Sequence, residues 1–330
     1  MISDQDIKNI CELVKNYRSI FLQLPEGLKR KGPEIAKKLN DLGKDVIISG
    51  DSCYGACDLR INDAKISGVD AILHIGHVNM GLDCEVPVIF YELDLKLDTR
   101  IAELIEKKMN KLDKKRVALI SNVQHVKSLP LIKKKLEDRG ISVYIPSARG
   151  HEKIVYDGQV LGCYYRHVEK ILDRIDCIFY VGTGNFHPLG VSLSTDKPVY
   201  SIDPYTSKIT SMDELKEKIL RKRWGRIVSA MDANSFGIIV SSKPGQFRLE
   251  YAKHICERLK KKGKDAYIIL MDDINNSKLI FNLDAYVVVA CPRIVIDDAE
   301  TFKYPVLSPT ELEISLNNEK WNEYRFNHHE

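Results

Sequence analysis

Residues 21–50 of this chain, FLQLPEGLKRKGPEIAKKLNDLGKDVIISG, contain an apolar strand, a lysine-rich helical segment, a glycine and a second apolar strand. The same order recurs at residues 117–146 and 238–270. Glycine readily adopts positive φ, so it suits the end of a helix. One follows each helical segment, at Gly43, Gly140 and Gly263. This recurrence predicts a triplicated α/β unit.

Two further predicted strands complete each unit. The third strand of every unit follows an aspartate, at Asp70, Asp176 and Asp284, and the fourth follows a proline. Near-continuous apolar runs, at residues 46–48, 71–73 and 285–290, are typical of strands buried on both faces of a parallel sheet. We therefore predict an α/β fold of three repeated small domains, with parallel sheets arranged around a pseudo-threefold central site.

Helical connectors at residues 101–113 and 212–226 mark the joins between units. They carry no glycine-, serine- or proline-rich composition, so we expect the units to pack tightly. The predicted domains are residues 1–100, 101–211 and 212–330.

Composition limits the class of protein. No segment approaches the ~20 apolar residues that span a bilayer, and the first residues lack the pattern of a secretory signal. The formal net charge of +4 is small for 330 residues, and lysine runs at 133–135 and 260–262 lie on predicted helix surfaces. We expect a cytoplasmic protein that neither associates with a membrane nor binds nucleic acid directly.

Three of the eight cysteines, Cys57, Cys163 and Cys291, lie at strand ends or in the loops that follow, one in each unit. Ligands of parallel α/β sheets gather beyond the carboxyl ends of the strands, so these thiols can face one cavity. Three thiolates suit an iron-sulfur cluster with one open iron, or a zinc ion. The absence of CxxC argues against structural zinc. Three unrelated buried thiols remain the alternative, as predicted for Cys11, Cys177 and Cys256.

Four motifs are shared with a known family: GDSCYGACD at 50–58, YVGTGNFHPLG at 180–190, SSKPGQFR at 241–248 and ACPR at 290–293. With the three-unit organisation, they resemble the archaeal diphthamide biosynthesis enzymes, which make 2-(3-amino-3-carboxypropyl)histidine on translation elongation factor 2. The resemblance spans nearly the whole chain.

The resemblance implies a homodimer in which each domain supplies one cysteine to a 4Fe-4S cluster. By motif position, the ligands are Cys57, Cys163 and Cys291, and Cys53 is not one. The open iron then binds S-adenosylmethionine, and an electron donor reduces the cluster. The CxxxCxxC motif of ordinary radical enzymes is absent because position 60 is arginine.

The family reaction breaks the bond from sulfur to the γ-carbon of the methionine moiety. The 3-amino-3-carboxypropyl radical, or an iron-bound equivalent, adds to an imidazole carbon of one histidine, and methylthioadenosine leaves. The chain is thus expected to be a transferase.

Other residues are candidates for binding and catalysis. Gly182 and Gly184 can let the backbone approach a ligand, Phe186 can stack on adenine and His187 can donate a hydrogen bond, although a turn that merely packs is equally consistent. Gly245 and Gln246 are predicted at a helix start that favours a carboxylate, or Gln246 is an exposed first-turn residue. Candidates to position the imidazole or accept its proton are Glu26 and His77.

Two alternatives stay open at this point. Quinolinate synthase is another triplicated α/β protein with three cysteines on a 4Fe-4S cluster, but the GACD and ACPR motifs match it less well. A non-catalytic subunit that supports a partner or donates electrons belongs to a different class.

Overall fold

The computed structural model describes residues 2–98, 100–321 and 324–326. Within them, the first unit forms a parallel sheet in the order β2-β1-β3-β4. Its strands are β1 (Ser19–Gln23), β2 (Asp45–Ile48), β3 (Ala71–Ile75) and β4 (Val88–Tyr91).

The other two units repeat this strand order. The second sheet is β6-β5-β7-β8-β9 and the third is β11-β10-β12-β13. The second contains β5 (Arg116–Ser121), β6 (Ser142–Tyr144), β7 (Cys177–Val181), β8 (Val199–Ile202) and β9 (Ile209–Ser211). The third contains β10 (Ser235–Ser241), β11 (Asp265–Met271), β12 (Ala285–Val289) and β13 (Val306–Leu307). The predicted repeat of parallel α/β units is confirmed, and only the antiparallel β9 departs from it among the described strands.

Helices of equivalent position link the first two strands of each unit. In chain order the helices are α1 (Asp4–Leu13), α2 (Gly32–Asn40), α3 (Ile61–Ile66), α4 (Ile101–Leu112), α5 (Leu129–Glu137), α6 (Arg166–Glu169), α7 (Phe186–Ser194), α8 (Asp213–Ala230), α9 (Leu249–Lys261), α10 (Ile294–Asp297) and α11 (Pro309–Ser315). Gly43, Gly140 and Gly263 follow α2, α5 and α9 with φ of 75°, 79° and 75°. The repeated glycines therefore mark helix ends, as predicted. No helix in the described ranges has the length and apolar character needed to cross a membrane.

The recurring aspartates tie the third strand of each unit to the start of the first. Asp70 accepts hydrogen bonds from the backbone N–H groups of Arg18 and Ser19, both at 2.8 Å. Asp176 and Asp284 do the same for Arg116, at 3.0 Å, and for Ser235, at 2.9 Å. These bonds to the charged form lower the pKa of Asp70 and Asp284. The pKa of Asp176 is lowered most by the bond from the Arg116 guanidinium, and the backbone bonds add to it. One aspartate per unit thus accepts hydrogen bonds from the backbone N–H groups at the start of the first strand.

The outer strands correct one prediction. Residues 71–73 and 285–289 are buried as expected, but β2 is exposed along most of its length, including Ile47 and Ile48. It lies at the edge of its sheet, where only β1 pairs with it. β11 is the equivalent edge of the third sheet, and Tyr267 and Leu270 on it are exposed.

The second and third units share an apolar core. A single cluster of buried side chains combines Ile120 and Tyr180 of the second sheet with Ile239 and Tyr286 of the third. The first unit has its own clusters. It meets the other two through polar contacts near the strand ends, such as the 2.7 Å hydrogen bond from Gln124 to the carbonyl of Gly76. The exact domain boundaries stay a prediction.

Candidate metal centre

The structure brings together the three thiols that the sequence singled out. Cys57 lies in the loop after β2, Cys163 in the loop after β6, and Cys291 directly after β12. Burial, and to a smaller extent the field of Cys57, raises the pKa of the Cys163 thiol to about 12. Burial also raises the pKa of Cys291, with added contributions from Cys163 and Cys57. The thiols of three separate units are therefore close enough to interact electrostatically.

A loop of the third unit holds Cys57. The backbone N–H of Gly245 donates to the Cys57 carbonyl at 3.0 Å, and the side-chain amide of Gln246 donates to its sulfur at 3.4 Å. A Cβ on residue 245 would lie 2.5 Å from the Cys57 Cα, so only glycine fits there. The predicted helix start is wrong, because Pro244–Gln246 is a short 3₁₀ turn and α9 begins at Leu249. Gln246 is buried rather than exposed.

Arg293 connects the loops of Cys163 and Cys291. Its guanidinium donates to the carbonyl of Phe186 at 2.7 Å and to that of Gly162 at 3.3 Å, and it pairs with Asp297. The guanidinium also lies 4.2 Å from the centre of the Phe186 ring. A Cβ at Gly162 would overlap that ring. The buried Arg293 follows Cys291 in the chain and holds Gly162, which precedes Cys163, so it fixes the two loops relative to each other.

The GTGNFH segment lies where a ligand can reach it. Gly182 is packed so closely against Tyr180 that a Cβ would lie 2.7 Å from the tyrosine oxygen, whereas Gly184 has a φ of 73° and open space at the Cβ position. The Phe186 ring is partly exposed, at 45%. His187 stacks on Tyr180 with ring centres 5.7 Å apart. Burial lowers the pKa of His187 to about 3, assisted by Arg293 and His77, so His187 is neutral at physiological pH.

A pair of histidines in the first unit, His74 buried and His77 half-buried, lies close enough to this region for His77 to act on the pKa of His187. Nε2 of His74 lies 2.9 Å from Nδ1 of His77, and Nδ1 of His74 lies 3.3 Å from Oε1 of Gln23. The sulfur of Cys53 lies within 4.8 Å of a ring nitrogen of each histidine. Cys53 is buried.

A buried ion network beside Cys57 was not predicted. Lys243 contacts Asp58 at 3.0 Å and Asp273 at 3.2 Å, and Arg60 contacts Asp272 at 2.8 Å. Burial by itself lowers the pKa of Lys243, but the bond to Asp58 outweighs it and the net pKa is raised. The lysine and the aspartate are 185 residues apart, so no local pattern reveals the pair.

Glu26 occupies a different environment from the other candidates. Its carboxylate is 62% exposed and pairs with Lys29 at 2.7 Å. None of the contacts recorded for the described residues joins it to the three thiols. Of the two residues predicted to handle the imidazole, the structure therefore brings only His77 near the GTGNFH segment.

Comparison with known proteins places the chain in a family. The model of the diphthamide synthesis protein family matches residues 24–325. The chain is 42% identical over 302 residues to the 2-(3-amino-3-carboxypropyl)histidine synthase of Pyrococcus horikoshii, covering 91% of this chain and 86% of that protein. Identity to the 2-(3-amino-3-carboxypropyl)histidine synthase subunit 1 of Schizosaccharomyces pombe is 30% over 329 residues, covering 94% of this chain and 72% of that one.

A solved structure agrees. The crystal structure of Dph2 from Pyrococcus horikoshii with a 4Fe-4S cluster matches with a TM-score of 0.87 and 40% identity, covering 97% of this chain and 92% of that one. The motifs GDSCYGACD and ACPR, which carried the resemblance in the sequence, lie within the matched residues 24–325. The chain belongs to the diphthamide synthesis protein family.

Proposed function

We propose that this protein catalyses the first step of diphthamide biosynthesis, the transfer of the 3-amino-3-carboxypropyl group from S-adenosylmethionine to a histidine of translation elongation factor 2. It is a transferase that uses a 4Fe-4S cluster, in keeping with its relatives. The observation that carries the proposal is the meeting of three thiols, one from each repeated unit, in a chain of this family.

The residues fit a cluster better than a single ion. In the described part of the chain, the group of three ligand atoms that all lie within 4.8 Å of one another is Cys53 with His74 and His77, and the thiols of Cys57, Cys163 and Cys291 do not form such a group. The sulfur atoms of three thiolates bound to one zinc ion would lie within 4.8 Å of one another, since each Zn–S bond is about 2.3 Å. A four-iron cluster binds three cysteine sulfurs that lie farther apart, because each sulfur binds a different iron, and the fourth iron stays open.

Neighbouring charges and donors support thiolates at this place. The amide of Gln246 donates to the Cys57 sulfur, and Arg293 lowers the pKa of Cys163 and Cys291 against the larger effect of burial. Hydrogen bonds to cluster sulfurs are one means by which a protein sets the reduction potential. Gly245 and Gln246 therefore act on the ligand Cys57, which refines their predicted role at the cosubstrate.

The cluster, when reduced and bound to S-adenosylmethionine, supplies the cleavage of the sulfur to γ-carbon bond. This chain's own task is orientation of the two substrates. Gly184 leaves backbone accessible, the exposed face of Phe186 offers a surface for adenine, and His187 is a neutral hydrogen-bonding group beside them. Gly182 serves the same segment by its close packing on Tyr180.

His77 is the stronger candidate to accept the proton of the substrate imidazole. It is half-buried and close enough to His187 to lower the pKa of that residue. Glu26 faces solvent and is held by Lys29, which suits contact with the incoming protein better than proton transfer beside the three thiols.

A homodimer explains the exposed edge of the third sheet. Apolar side chains cluster on and after β11, namely Tyr267, Ile268, Leu270, Ile280 and Phe281. An exposed edge strand with apolar side chains readily pairs with another chain. We assign this β11 edge to the contact with a second copy. The reaction needs an electron donor and a translation factor, so we place it in the cytoplasm.

The other candidate functions lose support. The relatives are named as 2-(3-amino-3-carboxypropyl)histidine synthases rather than quinolinate synthases. A purely supportive subunit would have no need of all three thiols in one central arrangement.

The test uses reconstituted protein under anaerobic conditions, with reductant, S-adenosylmethionine and purified archaeal elongation factor 2. We expect the factor to gain one 3-amino-3-carboxypropyl group on a histidine, as seen by peptide mass spectrometry. The Cys163→Ala protein is the matched control and should give no modified peptide. An unmodified factor after methylthioadenosine has formed would contradict the assignment of the substrate.

A further inference from the structure

A chain of three buried or half-buried side chains runs from β1 to the loop after β3. Gln23 ends β1 and is fully buried, His74 lies in β3 and is fully buried, and His77 follows two residues after that strand. Gln23 and His74 face each other across the sheet because they are register partners in the pairing of β1 with β3. Strand pairing thus fixes Gln23 and His74, and His77 is held to them from the following loop by its contact with His74.

The orientation of the Gln23 amide is determined by its other contacts. Its nitrogen donates to the carbonyl of Asp58 at 2.6 Å. Its oxygen accepts from the backbone N–H of Arg60 at 3.3 Å and lies 3.3 Å from Nδ1 of His74. An amide oxygen can only accept, so Nδ1 of His74 carries the hydrogen.

Both histidines are neutral, which fixes the remaining hydrogens. Burial lowers the pKa of His74 to about 3, with a smaller contribution from His77, and burial lowers the pKa of His77 to about 4. A neutral imidazole carries one N–H, so Nε2 of His74 is an acceptor. The hydrogen in its 2.9 Å bond to His77 therefore belongs to Nδ1 of His77. Nε2 of His77 is left with a lone pair.

That lone pair has no protein partner within residues 2–98, 100–321 and 324–326. No hydrogen bond recorded between described residues involves Nε2 of His77. The side chain is half-buried and close enough to His187 of the second unit to lower the pKa of that residue. A fixed acceptor thus points away from the His74 contact, in a region where the first and second units meet.

The reaction of the proposed function requires such an acceptor. The bond from sulfur to the γ-carbon breaks, a bond from that carbon to an imidazole carbon forms, and methylthioadenosine keeps the sulfur. The sulfonium loses its positive charge, and the imidazole carbon releases one proton, so the overall exchange neither consumes nor produces electrons. Proton acceptance by a fixed side chain typically contributes about 10²–10⁴-fold to such a step.

We propose that Gln23 and His74 are positioning residues that hold His77 in the tautomer with an unprotonated Nε2, and that this nitrogen accepts the proton from the substrate imidazole. The proposal rests on the proposed function and names the residues of its last step. Gln23 and His74 do not touch the substrate, and they act only through the hydrogen position on His77.

A metal ion at Cys53, His74 and His77 is the competing explanation. Two ring nitrogens bound to one zinc at about 2.0–2.1 Å in tetrahedral geometry lie about 3.3 Å apart. The nitrogens here are 2.9 Å apart, the usual length of a hydrogen bond. The Gln23 contact also accounts for the orientation of His74 without an ion.

The first test observes the tautomers directly and does not need activity. Long-range proton–nitrogen NMR of the ¹⁵N-histidine full-length chain, without cluster, distinguishes Nδ1–H from Nε2–H imidazoles. His74→Gln and His77→Gln proteins assign the two signals among the nine histidines. We expect both rings as Nδ1–H tautomers. An Nε2–H signal for His77 would overturn the proposal, as would stoichiometric zinc that is lost in Cys53→Ser.

The second test compares two products of the loaded enzyme. The ratio of alkylated histidine to methylthioadenosine separates transfer from cleavage. We expect His77→Gln to lower that ratio about 10²–10⁴-fold and Gln23→Leu to lower it less, because Gln23 acts only through the tautomer. The matched control is His254→Gln, on the exposed face of α9. A ratio in His77→Gln equal to that of the control would refute proton acceptance.

Failure of the proposed function would give a different result from failure of the tautomer proposal. If the wild-type protein yields no methylthioadenosine, the family reaction is refuted for this chain, while the NMR spectrum still decides the tautomers.

Discussion

Nζ of Lys243 lies 3.0 Å from Oδ1 of Asp58, and this ion pair joins the third unit to the residue that follows Cys57. The two side chains are only 5% and 1% exposed. Loss of one partner would leave the other charge buried without compensation, which typically costs about 3–5 kcal/mol. The pair therefore connects the stability of the unit interface with the position of a proposed cluster ligand.

Lys243→Met should lower the free energy of unfolding by about 3 kcal/mol, and it should reduce the iron bound after reconstitution. Anaerobic urea unfolding and iron analysis measure the two effects. Lys38→Met is the matched control, because Lys38 pairs with Asp4 at 2.8 Å on the surface and such pairs are worth at most about 1 kcal/mol. Equal losses in the two variants would contradict the structural role of the buried pair.

Substitution of each proposed ligand should remove the cluster. We expect Cys57→Ala, Cys163→Ala and Cys291→Ala to lose the visible absorption of the cluster and most of the bound iron, since each thiolate is one of the three proposed protein ligands. Cys256→Ala is the control, because its thiol is buried in α9 and bonds the carbonyl of Ala266. Full iron content in any of the three ligand variants would exclude that residue as a ligand.

The strand-start aspartates make stability sensitive to acid. The pKa of Asp284 is lowered by its hydrogen bonds from Asn234 and Ser235. A carboxyl whose pKa is lowered by folding stabilises the protein at pH values above its unfolded-state pKa of about 3.9. This stabilisation is lost as the pH falls through the folded-state pKa. Asp284→Asn keeps an acceptor but no charge, so its free energy of unfolding should fall less steeply below about pH 4.

Acid unfolding followed by circular dichroism measures this slope. Asp232→Asn is the control, since Asp232 is exposed and bonds no strand start in the described residues. Identical slopes for Asp284→Asn and the wild-type protein would show that the carboxylate bonds contribute nothing.

Charge on the β11 edge should separate the proposed dimer. Leu270 is exposed on this edge strand, and Leu270→Lys would place ammonium groups in a contact made of apolar side chains. Light scattering after gel filtration should show a dimer for the wild type and a monomer for the variant. Ile66→Lys, at an exposed position on α3, should remain dimeric. A dimeric Leu270→Lys protein would move the interface elsewhere.

The repeated architecture was accessible from the sequence because each unit carries the same local signals. Gly43 and its two counterparts mark helix ends, and Asp70 and its counterparts mark the starts of third strands. These signals depend on backbone needs within one unit. The grouping of the three thiol-bearing loops could be predicted because sites form at the carboxyl ends of parallel strands.

Contacts between units were not accessible in the same way. Lys243 and Asp58 belong to different sheets, and neither lies in a pattern that reveals its partner. Gln23 looks like one polar residue in an apolar strand until its pairing with His74 is seen. The apolar residues of β2 suggested burial, yet the position of a strand within its sheet depends on topology, and β2 lies at the edge.

The most direct measurement is the identity of the nucleoside that the reduced, reconstituted protein releases from S-adenosylmethionine under anaerobic conditions. The account predicts methylthioadenosine together with a product derived from the 3-amino-3-carboxypropyl group, and neither should form with Cys291→Ala. Release of 5′-deoxyadenosine, or no cleavage by a protein with a full cluster, would contradict it.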